Sequence, residues 1–170
     1  MTELLPREEK IRWILERTAQ LHHGGAEPVA GLVLPTNDFF PDHYDRSLDA
    51  VKRLLKRVVK HAGLSDLRIR ANVVTPQEET LGGGGCSSGA CGVGGGGGGD
   101  EQVSRVEKRG DGWQVNVLVN ELGNPTVLTT GLVRAVSHIF MRELDMFAEL
   151  DRGEAEPATD LCGVLLGFGV

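Results

Sequence analysis

Residues 47–73, SLDAVKRLLKRVVKHAGLSDLRIRANV, decide the fold, because within this stretch the chain changes from a helical to an extended pattern. Ser47 is placed to cap a helix that ends near residue 62. Its apolar stripe consists of Leu48, Val51, Leu54, Leu55, Val58 and Val59. Apolar residues then alternate with Arg68, Arg70 and Asn72, which is typical of a half-buried strand. The stretch therefore predicts a helix and a strand of one core.

The other predicted elements extend outward from this stretch. Upstream, Pro6 opens a helix that ends at Gly24, and residues 29–34 are an apolar strand or extended segment. Downstream, residues 102–108 and 113–119 form a hairpin with Asp-Gly as the turn signal, Asn124-Pro125 opens a long helix, and a last helix begins near Pro157. The order predicts one α+β domain over residues 1–170, with three to four helices packed on a small, mainly antiparallel sheet.

Composition adds one unusual feature to an ordinary chain of 170 residues with a formal net charge of −6. Twelve of the 24 glycines lie between residues 82 and 99, which we interpret as a long, flexible, glycine-rich loop inserted in the domain. Within it, Cys86 and Cys91 are alternatively a redox pair or a weak pair of metal ligands. Residues 1–10 are acidic and polar and show no signal-peptide pattern, which favours a cytoplasmic protein, and the odd number of cysteines agrees with this. No apolar run is long enough to span a membrane.

The end of the sequence is apolar over residues 161–170. Two interpretations are open: these residues pack into the core, or the chain is truncated from a longer protein. We favour truncation, because a helix normally closes on a cap or a polar residue.

Residues 134–138, Arg-Ala-Val-Ser-His on the long helix, are the most informative functional stretch. Zinc hydrolases of the HExxH class place two histidines four residues apart on a helix, with a catalytic glutamate beside the first. His138 here follows Arg134 by one turn. The chain also contains Leu34-Pro35, Phe39-Phe40-Pro41, Asn124-Pro125, Glu156, Thr159-Asp160-Leu161 and Gly167-Phe168-Gly169-Val170.

On these motifs the sequence resembles bacterial zincin-like, metallopeptidase-like proteins of poorly known function. The resemblance implies a zincin-like fold in which Arg134 replaces the first histidine ligand and Ala135 replaces the catalytic glutamate. A guanidinium stays protonated and offers no lone pair to zinc, and alanine cannot act as a base. Two of the four catalytic groups are therefore absent, which favours a pseudoenzyme over an active enzyme.

The residual metal-site candidates are His138, Glu156 and Asp160. With so few ligands, we expect zinc to bind only weakly. The structural alternatives are a half-buried histidine at 138 and, at 160, a first-turn acid capped by Thr159. We also expect Arg134 to form an ion pair with Asp160 in the vacated site.

The predicted function is accordingly a structural or partner-binding role, in which a protein partner engages the old substrate cleft. The first alternative is a metal-dependent hydrolase with a rearranged site around His138, Glu156 and Asp160. The second is a nucleic-acid-binding module that uses the basic face of the helix over residues 48–61. That face carries Lys52, Arg53, Lys56, Arg57 and Lys60. The acidic net charge and the lack of interleaved aromatic residues argue against nucleic acid.

Overall fold

This computed structural model describes residues 6–27, 31–75, 105–151 and 153–169, and side-chain caps begin two of the helices described. Among these residues there are four α-helices: α1 (Glu8–His23), α2 (Leu48–His61), α3 (Pro125–Glu143) and α4 (Ala155–Leu165). The Ser47 hydroxyl accepts a hydrogen bond from the amide of Ala50, and the Asn124 side chain accepts two from the first turn of α3. Short 3-10 helices span Val119–Gly123 and Met146–Glu149.

Three strands form one small mixed sheet in the order β1-β3-β2, where β1 is Ile69–Val74, β2 is Val106–Arg109 and β3 is Gly112–Leu118. The hairpin of β2 and β3 is antiparallel, as predicted. The outer strand β1 pairs in parallel with β3, from Ile69 opposite Trp113 to Val74 opposite Leu118. The α+β class with helices packed on a small sheet is thus confirmed, and the sheet has one parallel and one antiparallel pair.

The hairpin turn differs from the predicted one by a single position. Arg109 pairs with Gly112, so the two turn residues are Gly110 and Asp111, and Gly110 supplies the positive φ of 60°. Gly112 instead permits a close approach, because a Cβ there would lie 2.5 Å from the Arg68 carbonyl oxygen. That carbonyl accepts the amide hydrogen of Trp113 at 2.7 Å, which joins β3 to the start of β1.

The core lies between one face of the sheet and the helices. Trp113, Val115 and Val117 of β3 are buried in this core, where α3 packs on β3 and α2 packs on β1. The Trp113 indole also donates to Glu143 Oε1 at 2.8 Å, which joins the hairpin to the end of α3. Helix α4 packs on α3, and α1 packs on α4. The sheet therefore has one buried face and one polar face.

The apolar stripe of α1 is only partly buried. Leu21 is 1% exposed, but Ile11, Ile14 and Leu15 are 43%, 42% and 65% exposed. Since α1 lies outermost and contacts α4, it buries one end of its stripe and leaves the other open.

The end of the described chain packs into the core. Leu166 and Phe168 are 1% and 3% exposed, and Phe168 forms a parallel bridge with Val33. The Val33 amide donates to the Gly167 carbonyl at 2.7 Å. Of the extended segment predicted at 29–34, this bridge at Val33 is the part that pairs, and residues 28–30 lie outside the described residues, as do the glycine-rich stretch 82–99 and Val170.

Candidate functional site

A narrow cleft of about 60 Å³ lies where α3 crosses the hairpin and the start of α4. Arg134, Ala135 and His138 of α3 all line it. Glu156 and Thr159 approach from α4, and Asn116 from β3. Its floor is apolar, with Leu128 and Leu132 among the lining residues. The helical repeat that placed residues 134 and 138 on one face in the sequence therefore places both side chains at one cleft.

Arg134 forms the ion pair predicted for it. Its Nε lies 2.8 Å from Asp160 Oδ1, across the contact between α3 and α4. The two side chains are 30% and 55% exposed, so solvent screens the pair, and it contributes at most about 1 kcal/mol to stability. The Arg134 guanidinium thus binds a carboxylate of the neighbouring helix.

Close packing of the two helices brings this pair together. Gly163 of α4 lies against Ser137 of α3, where a Cβ would be 3.2 Å from the Ser137 hydroxyl oxygen. That hydroxyl donates to the Val133 carbonyl at 2.9 Å, and the Cys162 thiol lies 3.8 Å from the Ser137 carbonyl. Burial raises the pKa of Cys162 to about 12. These groups pack the helices and are not poised as nucleophiles, which need an ionisable thiol or an adjacent base.

His138 is 5% exposed and its ring is held from two sides. Its Nε2 accepts a hydrogen bond from Arg142 Nε at 3.3 Å, and its ring centroid lies 4.5 Å from that of Phe147. Burial, with a contribution from the Arg142 charge, lowers the pKa of His138 to about 4. The imidazole is therefore neutral near pH 7, and its Nε2 lone pair is engaged by a cation.

The position of Asp160 differs from the expected one. Helix α4 begins at Ala155, so Glu156 is its first-turn acid and Asp160 lies farther along the helix. Thr159 was expected to cap the helix, but its hydroxyl donates to the Ala155 carbonyl at 2.7 Å, inside the helix. Both expectations were wrong because the helix starts just after Gly153, whose φ of 92° ends the preceding turn.

The residues at the cleft do not fit zinc. Asp160 faces the Arg134 guanidinium and His138 faces that of Arg142, so two of the three candidate ligands already have a cationic neighbour. Among the described residues, no three His, Cys, Asp or Glu side chains form a group that could hold a metal ion. The structure thus does not bring His138, Glu156 and Asp160 together as ligands, and Cys86 and Cys91 lie outside the described residues.

Three side chains at or beside the cleft were not predicted from the sequence. Arg142 follows His138 by four residues, a spacing that brings side chains together on a helix, so this contact was predictable. Arg105 and Glu121 pair with each other at the rim; Arg105 directly precedes β2, and Glu121 lies in a 3-10 helix. No local pattern in the sequence joins those two segments.

The basic residues of α2 fall on two sides of the helix. Arg57 Nε lies 2.7 Å from Asp42 Oδ2, and Arg53 donates to the His43 carbonyl at 3.2 Å, so both hold the loop before the helix. The Arg57 guanidinium lowers the pKa of Asp42. Lys52, Lys56 and Lys60 instead line a second groove, beside β1. The five residues therefore do not form one continuous phosphate-binding surface.

Comparisons with known proteins identify no relative: no protein-family profile, no curated protein and no solved structure matches this chain. Among the residues the structure describes, no helix has both the length and the apolar character needed to cross a bilayer.

Proposed function

We propose that this chain is a non-catalytic binding protein with a degenerate zincin-like fold, in which the former substrate cleft receives a segment of a protein partner. The observation that carries the proposal is the cleft of Arg134, Ala135 and His138. Three positions of the motif line one concave site, and a guanidinium, a methyl group and a neutral imidazole occupy them.

The chemistry of these groups favours binding over hydrolysis. A hydrolytic site needs a base or a metal-bound water, and the methyl group of Ala135 supplies neither. The apolar floor and polar rim suit a partner segment that inserts one small apolar side chain and hydrogen bonds at the rim. The resemblance and the uneven number of cysteines support a bacterial cytoplasmic location.

Restoring the motif tests the catalytic half of the proposal. The wild-type protein, Arg134→His and Arg134→His/Ala135→Glu are compared for zinc content and for zinc binding by calorimetry. We expect the wild type to hold no stoichiometric zinc. The double variant should gain zinc, because its two imidazoles share the cleft and Asp160 is released from Arg134. Stoichiometric zinc in the wild type that is lost in His138→Ala would overturn the proposal in favour of the hydrolase.

Filling the cleft tests the binding half. Gly131 lines the cleft, and a Cβ there meets no atom within 4 Å, so Gly131→Leu has room for its Cβ and is expected to fill part of the cleft. Gly123→Leu is the matched control, because its Cβ also meets no atom within 4 Å and it lies outside the cleft lining. Peptides selected from a displayed random library against the wild type should lose binding at least tenfold to Gly131→Leu and keep it to Gly123→Leu. Equal binding to both variants would place the docking site elsewhere.

A further inference from the structure

A second groove, of about 480 Å³, lies between α2 and the outer strand β1. One wall is a row of lysines on successive turns of α2, all on one side of the helix: Lys52, Lys56 and Lys60. The floor between the walls is apolar, and Leu55, Val59 and Ile69 contribute to it. This groove shares no lining residue with the cleft within the described part of the chain. It is therefore a separate surface.

The other wall of the groove is the edge of the sheet. Strand β1 pairs with β3 on one side, and it is the end strand in the order β1-β3-β2. Within the described ranges no strand pairs with its outer side. The outer side of a strand presents alternating amide and carbonyl groups that accept a further extended segment.

The charge of the groove has a single sign. Besides the three lysines, Arg70 of β1 contributes a fourth cation, and none of the described residues that line the groove is acidic. Lys52 lies 3.1 Å from Asp49, an exposed pair that water screens. Lys56 and Lys60 are exposed. A basic groove stands out on a chain with a net charge of −6.

We infer that this groove binds an acidic, extended segment of a partner protein, which adds to β1 as a fourth strand. The backbone edge supplies the main-chain hydrogen bonds, and the lysine row selects carboxylates. Lysines four apart on a helix recur about every 6 Å. Alternate side chains of a strand recur about every 6.6 Å. The spacing of carboxylates at alternate positions of the added strand is therefore close to the spacing of the lysines.

A nucleic acid fits the same surface less well. Bases bound without sequence preference stack on aromatic side chains, and the described lining of the groove contains none. The overall negative charge also repels a long polyanion, whereas a short acidic segment interacts mainly with the local lysines.

Fluorescence anisotropy with the full chain tests the inference. The probe is a labelled heptapeptide, Glu-Thr-Glu-Val-Glu-Thr-Glu, measured against a peptide with glutamine for each glutamate and against one with a central proline. The protein variants are Lys56→Glu/Lys60→Glu and, as a control of equal charge change on α1, Lys10→Glu/Arg12→Glu. The substituted residues are exposed in both variants, so we expect both to fold. Gly131→Leu separates this surface from the cleft.

We expect the glutamate peptide to bind the wild type at least tenfold more tightly than either comparison peptide. Lys56→Glu/Lys60→Glu should weaken binding about tenfold or more, since each reversal replaces an attraction by a repulsion. The α1 control and Gly131→Leu should bind as the wild type does. Peptide binding should also slow hydrogen exchange of amides within residues 69–74.

Several outcomes would overturn the inference. Equal binding by Lys56→Glu/Lys60→Glu would mean that the lysines only shield the sheet edge from aggregation. Equal binding of the proline peptide would exclude strand addition. Failure of the wild type to bind the peptide would also overturn it, as would tighter binding of single-stranded DNA that the same lysine reversal abolishes.

Discussion

Acidification should destabilise this protein through His138 well before its carboxylates are protonated. The folded pKa of His138 is lowered to about 4, whereas an unfolded histidine titrates near 6.5. Between these values the unfolded chain binds a proton at His138 that the folded chain does not. The free energy of unfolding therefore falls as the pH drops through this window, and the full stability is present only above about pH 6.5.

The magnitude follows from the two pKa values. At about pH 5 an unfolded imidazole is almost fully protonated, while about one folded molecule in ten carries the proton, so the loss relative to neutral pH is about 2 kcal/mol. At about pH 4 the loss reaches about 3 kcal/mol. A domain of this size has roughly 5–15 kcal/mol of stability, so the effect is large enough to measure.

Urea unfolding followed by tryptophan fluorescence measures it, with the wild type and His138→Gln compared from about pH 7.5 to pH 5. Glutamine keeps an acceptor for Arg142 but does not titrate. Carboxylates with lowered pKa values, such as Glu143, add their own loss at lower pH, and they do so in both proteins. The difference between the two proteins therefore isolates His138.

An equal loss of the free energy of unfolding in both proteins between about pH 7.5 and pH 5 would contradict the role given to His138. Protonation of His138 near pH 6.5 in an NMR titration of the folded wild type would contradict it as well. Either result would mean that the imidazole is solvated and open to other ligands.

Three further substitutions or reagents probe the fold. Cys162, whose pKa burial raises to about 12, should resist iodoacetamide at about pH 8 in the folded protein and react in urea, as peptide mass spectrometry can establish; equal labelling would contradict its burial. Asn124→Ala should lower the free energy of unfolding by about 1 kcal/mol, because two amides of α3 lose their cap, and an unchanged urea midpoint would contradict the capping role. Gly112→Ala should cost about 1–3 kcal/mol by forcing a methyl group against the Arg68 carbonyl, whereas Gly123→Ala, with open space, should have little effect; equal effects would remove the steric argument.

Local signals in the sequence were sufficient to predict most of the described helices and strands. The caps Ser47 and Asn124 act within three residues of themselves, so the starts of α2 and α3 were predictable. The hairpin was predictable for the same reason, because β2 and β3 are joined by two residues. The ion pair of Arg134 with Asp160 was predicted as well, although no local pattern in the sequence joins α3 to α4.

Contacts between distant segments account for what was not predicted. Nothing in the alternation of residues 67–73 states which strand lies beside β1 or in which direction it runs. The bridge between Val33 and Phe168 has no local signature either. The start of α4 was predicted at the wrong residue because Glu154, which precedes the helix, makes no side-chain cap. The helix instead begins after the turn at Gly153. A single glycine is a weak signal in a sequence that contains many of them.

The packing of α1 on α4 also sets the timing of folding during synthesis. Arg17 donates a hydrogen bond to Glu154, which follows it by 137 positions. At about 5–20 residues per second, a ribosome needs roughly 7–30 s to make the chain between them. For that time α1 has emerged without its partner helix, and Ile14 and Leu15 stay exposed even afterwards. The apolar residues of α1 that pack on α4 are therefore exposed on the nascent chain until α4 has been made.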